Sequence, residues 1–137
     1  MREKLSVFID RLKNGDYVFE NADFRALENR DWDEKTFVYA DPPYLITCAT
    51  YNEQDGWNED LERELLAYLD GLHERGIRFA LSNVLRSKGK ENTILLDWIN
   101  RNMGKYRVIY LDYSYSNSNY HTKDRTSGAD EVLIVND

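Results

Sequence analysis

Within the 137-residue sequence, the run Asp41-Pro42-Pro43-Tyr44 offers the clearest chemistry. Asp41 supplies a carboxylate acceptor. Pro42 supplies a backbone carbonyl on a chain that two successive proline rings keep stiff. Together they set two acceptors at a fixed spacing, which suits the two N–H donors of an exocyclic amine. Binding both N–H groups draws the nitrogen out of conjugation with its ring and frees its lone pair. Pro43 completes the rigid turn, and Tyr44 presents a flat face for a planar base, an interaction worth about 1–3 kcal/mol per base. Such a site suits a base extruded from a duplex. The plainer alternative is a surface turn that Asp41 caps.

Position favours the chemical reading. Thr36-Phe37-Val38-Tyr39-Ala40 is a short run of apolar, aromatic and β-branched residues, which predicts a buried strand leading straight into the loop. Asn58 is a good N-cap, and Leu61, Leu65, Leu66, Leu69 and Leu72 mark an amphipathic helix to about residue 75. Gly76 closes it. Ile77 to Leu81 predicts a second buried strand ending at Ser82-Asn83, followed by a helix over 91–102 and strands over 106–111 and 131–135. Upstream, Leu5, Phe8, Ile9 and Leu12 give a striped helix over 2–14 that ends at Asn14-Gly15. Tyr17-Val18-Phe19 is a strand candidate, and Asn21 or Asp23 caps a short helical turn. Alternating strands and helices imply an α/β fold with a mostly parallel sheet and helices on both faces. The last two strands lack a helix between them, so they are expected to pair antiparallel at one edge. Ligands in such sheets sit beyond the carboxyl ends of the strands, where Asp41–Tyr44 and Ser82-Asn83 both fall.

Composition narrows the setting. Hydrophobic residues make up 42% and charged residues 31%, as in an ordinary folded domain. The net charge of −7 argues against binding through a broad basic face. Two small basic strips remain as candidates for backbone phosphates: Arg86 and Lys88 with Lys90, and Lys123 and Arg125 beside His121. Solvated loop charge is the alternative for both, as a solvated helix face is for His73. The single cysteine, Cys48, allows no internal disulfide and fits a cytoplasmic setting. No apolar stretch approaches the roughly 20 residues that span a bilayer, and no His, Cys and carboxylate spacing suggests a metal.

Three segments together resemble the S-adenosylmethionine-dependent DNA adenine-N6 methyltransferases of the Dam and DpnII type, the D12 class. They are Phe-Val-Tyr-Ala-Asp-Pro-Pro-Tyr-Leu-Ile-Thr over 37–47, Arg-Gly-Ile-Arg-Phe-Ala-Leu-Ser-Asn-Val-Leu over 75–85, and Asn119-Tyr120-His121 followed by Asp130-Glu131-Val132-Leu133-Ile134. The likeness runs from about residue 14 to the end and implies a partial Rossmann-like methyltransferase sheet. It assigns Asp41 and the Pro42 carbonyl to the target amine and Tyr44 to the flipped adenine. It assigns Asp23 and Phe24, in Asn21-Ala22-Asp23-Phe24, to the cofactor's adenine. A helix cap at Asp23 and a core role for Phe24 are the alternatives. Ser82 and Asn83 fall near the catalytic loop, with DNA contact as one role and a strand-end turn as the other.

The sequence departs from that family in what it lacks. No strand–Gly-x-Gly–helix segment that would cradle the cofactor's methionine end precedes residue 37, and the inserted target-recognition domain is missing. The reading is therefore a single domain over 1–137 forming the C-terminal part of the fold. An unprotected strand edge would invite self-association or a companion chain carrying the other half. A non-catalytic remnant or subunit, and a methyltransferase acting on RNA or another amine, are the rival readings.

Overall fold

A computed structural model describes residues 2–47, 56–111 and 128–137. The elements in chain order are α1 (Arg2–Asn14), a 3-10 turn (Phe24–Leu27), β1 (Phe37–Ala40), α2 (Glu59–Glu74), β2 (Arg78–Val84), β3 (Arg86–Ser87), β4 (Lys90–Glu91), α3 (Thr93–Arg101), β5 (Arg107–Tyr110) and β6 (Glu131–Val135).

Four strands form one sheet in the order β1-β2-β6-β5. Only β1 and β2 pair in parallel, while β6 is antiparallel to both β2 and β5. The sheet is therefore mixed rather than mostly parallel. The reason is where β6 goes: it inserts between β2 and β5 instead of adding at the rim, which makes β5 the edge strand. The expected antiparallel pairing of the last two strands holds, but an interior strand is unreadable from a sequence order alone.

The main apolar cluster lies on one face of this sheet. Val38, Phe79, Leu81, Val132 and Ile134 meet Leu65, Leu66, Leu69 and Leu72 of α2 and Leu95 and Trp98 of α3. The two helices share this single cluster. Among the described residues the opposite face has no such helix, and the expectation of helices on both faces is not met. The amphipathic stripe of α1 is real, yet Leu5, Phe8 and Ile9 stay exposed. Periodicity shows which side of a helix is apolar and says nothing of what covers it. Val18 and Phe19 are likewise exposed, and 17–19 is not a strand, because the segment has no neighbour to pair with.

Caps follow sequence chemistry. Asn58 starts α2 with its side chain accepting from Leu61 N at 2.9 Å, and Asn92 starts α3 by accepting from Leu95 N at 3.0 Å. Asn58→Ala should cost about 1 kcal/mol and Asn58→Gly only a few tenths. Urea denaturation would show this, and an equal loss from both substitutions would argue against the capping role. At the far end Asn136 joins β6 to β2, accepting from Phe79 N at 2.7 Å and donating to the Ile77 carbonyl at 2.9 Å. It also lies 3.4 Å from His73, whose ring meets Tyr106 edge-on. His73 is thus a packed residue, not part of a solvated face.

Candidate active site

Parallel pairing sets Ala40 against Leu81, so the next residues, Asp41 and Ser82, emerge side by side at the carboxyl ends of β1 and β2. The Ser82 hydroxyl donates to Asp41 Oδ1 at 2.6 Å and accepts from the Tyr39 hydroxyl at 3.2 Å. Ser82 is buried, while Asp41 remains exposed above it. One carboxylate oxygen is thereby anchored from below on an otherwise open group. The Tyr44 phenol is raised above its ordinary range, first by burial and further by Asp41, while the neighbouring Ser82 hydroxyl pulls the other way. It therefore stays neutral at physiological pH and keeps an uncharged ring face. The carbonyl of Tyr44 accepts from Thr47 N at 3.0 Å and from the Thr47 hydroxyl at 3.3 Å, closing a turn after the motif. Asp41, Pro42, Pro43 and Tyr44 are thus held as one unit.

Asp23 and Phe24 form a second constellation. Asp23 caps the 3-10 turn by accepting from Arg25 N at 2.9 Å and also takes both Nε and Nη2 of Arg25 at 2.8 Å. The Arg25 side chain holds its carboxyl down at about 2. The lowered group keeps this pair intact from neutral pH through the ordinary carboxylate range, and the pair is lost as pH falls toward 2. Phe24 lies half-buried between the rings of Trp57, at 5.9 Å, and Tyr68, at 6.4 Å. A cavity of about 630 Å³ opens beside it, lined by Phe24, Arg25, Glu64, Tyr68 and Arg75 among others.

These residues bear on the expected cofactor unequally. A half-buried aromatic cluster suits a purine, although the Asp23 carboxylate is already engaged by Arg25. The glycines with positive φ follow α2 (Gly76), turn the β3–β4 hairpin (Gly89) and follow α3 (Gly104). Among the described residues, none stands where a strand turns into a helix to wrap an extended ligand.

Residues 1–127 match the profile of the D12 class N6 adenine-specific DNA methyltransferases. The chain belongs to that family. It is 41% identical to the modification methylase StsI of Streptococcus sanguinis, over 99% of the chain and 21% of that protein. It is equally 41% identical to the Type II methyltransferase M.FokI of Planomicrobium okeanokoites, again over 99% and 21%. The modification methylase LlaI of Lactococcus lactis subsp. lactis is 38% identical over 74% of the chain and 18% of its own length. The chain thus spans about a fifth of the length of these relatives.

In this D12 chain the remaining candidates separate. Ser82 and Asn83 are both buried and belong to β2, which runs on to Val84 rather than ending at Leu81, because the ladder to β6 continues through Leu133, Val132 and Glu131. Arg86 and Lys88 sit on a two-residue hairpin that the sequence reading missed, with positive φ at Lys88 and Gly89, as such turns require. Arg86 is paired with Glu91 at 2.7 Å and Asp130 at 3.5 Å. His121, Lys123, Arg125 and Cys48 lie outside the described residues. Among the described residues no group of three His, Cys, Asp or Glu side chains is arranged to hold a metal, and no helix is long and apolar enough to cross a membrane.

Sequence reasoning missed Glu62. It is completely buried, and its carboxylate accepts from Asn83, Asn92 and Trp57. The signal was present: Glu62, Leu65, Leu66 and Leu69 fall at i, i+3, i+4 and i+7, which puts a carboxylate on the apolar stripe of α2.

Proposed function

We propose that this chain carries the amine-binding part of an S-adenosylmethionine-dependent DNA methyltransferase acting on adenine N6. The observation that carries the reading is the Asp41–Tyr44 loop, set at the end of β1 with its carboxylate anchored by Ser82 from the adjacent strand. When bound, S-adenosylmethionine supplies an electrophilic methyl group on a sulfonium. The chain's own residues act on the nucleophile. Asp41 and the Pro42 carbonyl accept the two amine N–H groups, which localises the nitrogen lone pair and stabilises the positive charge that grows on nitrogen as it attacks. Asp41 then takes up the released amine proton or passes it to water. Tyr44 holds the extruded base by stacking. Asp23 and Phe24 face the cofactor's adenine, and Pro43 keeps the turn rigid. Arg86, Lys88, His121, Lys123 and Arg125 serve DNA phosphates, while Ser82 and Asn83 support the loop from beneath. The reading places the protein in the cytoplasm, with DNA as its partner and a companion chain or second copy supplying the methionine-end pocket.

The test is transfer of labelled methyl from S-adenosylmethionine to duplex DNA, with mass spectrometry of the digested nucleosides. N6-methyladenine supports the reading, and label found only in RNA refutes it. Ser82→Ala should slow transfer roughly ten- to a hundredfold, since a hydrogen bond to a charged group contributes about 1.5–3 kcal/mol. An unchanged rate would remove Ser82 from the site.

The positions of the positive-φ glycines favour a second reading, a binding subunit without its own cofactor pocket. Calorimetric titration with S-adenosylmethionine separates the two: micromolar affinity excludes it, and no binding at millimolar cofactor favours it.

A further inference from the structure

We infer that Glu62 is a positioning residue for the cofactor's purine, acting through Trp57. The inference rests on the methyltransferase reading and adds a residue to it. Three segments converge on this one side chain at the ligand end of the sheet. Oε1 accepts from Asn83 Nδ2 at 3.0 Å, one residue beyond Ser82 on β2, and from Asn92 Nδ2 at 2.9 Å at the start of α3. Oε2 accepts from Trp57 Nε1 at 2.6 Å, immediately before the N-cap of α2. Trp57 in turn packs on Phe24, with ring centroids 5.9 Å apart.

The two asparagines cannot turn round. Asn83 Oδ1 accepts from Val84 N at 2.8 Å and Asn92 Oδ1 accepts from Leu95 N at 3.0 Å, so both NH2 groups must point at Glu62. The three contacts are therefore all donors, and only a group with two acceptor oxygens satisfies them. A buried carboxylate costs too much to serve as filler. Here it links the strand that anchors Asp41 to the aromatic pair Trp57–Phe24, which forms a wall for a flat ring.

Donor arithmetic makes a selective prediction. In Glu62→Gln the single oxygen faces the two asparagine donors, because the reverse orientation clashes twice. The amide NH2 then meets the Trp57 indole N–H, donor against donor. Trp57 loses this acceptor while Asn83 and Asn92 keep theirs.

The experiment uses the 137-residue chain with amide and indole 15N spectra and calorimetric titration of S-adenosylmethionine. Glu62→Gln should shift the Trp57 indole resonance and expose it to solvent exchange. The Trp32 and Trp98 indoles and the Asn83 and Asn92 amides should stay in place. Cofactor affinity should fall about tenfold, the scale of a lost aromatic stacking contact. Trp57→Phe should weaken binding by a similar factor, and adding Glu62→Gln to it should change affinity less than about twofold.

An unmoved Trp57 resonance overturns the inference, as does a moved one with unchanged affinity. If Glu62→Gln fails to fold, Trp57→Phe decides: unchanged affinity overturns the role, and a tenfold loss supports it. A wild-type chain with no cofactor affinity favours the binding-subunit reading and overturns this inference with it. Failure of the inference alone looks different, since wild type and both variants then bind equally well.

Discussion

Asp41→Ala is expected to lower methyl transfer to adenine by about 10²- to 10⁴-fold, with little change in stability. On the proposed reading the carboxylate has two roles: it accepts an amine N–H in the ground state, and it neutralises the charge that appears on nitrogen as the new C–N bond forms. Only the second interaction strengthens on the way to the transition state, so the loss should appear mainly in kcat. The fold should tolerate the change because Asp41 is exposed and, among the described residues, its side chain hydrogen-bonds to Ser82, a hydroxyl that still has Tyr39 as a partner. Asp41→Asn sharpens the test: it preserves shape and one acceptor but turns the other into a donor, so it should retain more activity than alanine and less than wild type. Initial rates with labelled cofactor and a saturating adenine-containing duplex measure both. An alanine variant that kept its rate would remove the loop from the chemistry.

Trp98→Ala should destabilise the fold by about 3–5 kcal/mol, a large share of the roughly 5–15 kcal/mol that holds a domain of this kind together. Trp98 is 1% exposed and packs against Tyr106 with ring centroids 4.8 Å apart and planes tilted by 32°. Its indole N–H reaches both oxygens of Asp70, at 3.0 and 3.1 Å, and the Tyr106 hydroxyl donates to Asp70 at 2.6 Å. Removing the indole opens a cavity beneath α3 and strips Asp70 of one of its donors. Burial and the adjacent carboxylate both push the Tyr106 phenol upward, so it stays neutral and continues to donate. Trp98→Phe should cost less, because it keeps most of the packed area. Urea melts followed by circular dichroism give both values. A loss below about 1 kcal/mol for the alanine variant would mean that α3 is not anchored here.

Sequence alone determined the local events. Capping chemistry marked Asn58, apolar spacing marked α2 and α3, and paired prolines after an apolar strand marked the loop at Asp41, although that strand is not buried as expected, since Phe37 and Tyr39 are exposed. Each of these depends on neighbours within a few residues, which is the range over which backbone sterics and helical periodicity act. The link between Asp41 and Ser82 lay beyond that range, since it joins residues 41 positions apart through the parallel register of β1 and β2.

Tertiary structure alone decided the placement of β6. Two short apolar strands in succession are compatible with a rim or an interior position, and only the hydrogen-bonding needs of β2 and β5 separate the two. It also decided the fate of the polar residues that follow Leu81. Ser82 and Asn83 resemble the end of a strand, yet they are buried because Asp41 and Glu62 satisfy their side chains. The same holds for Glu62, whose carboxylate sits on an apolar stripe at a cost that no local pattern can offset. Three donors from separate parts of the chain meet it in space, and burial of a polar group is decided by partners that the folded state alone brings within reach.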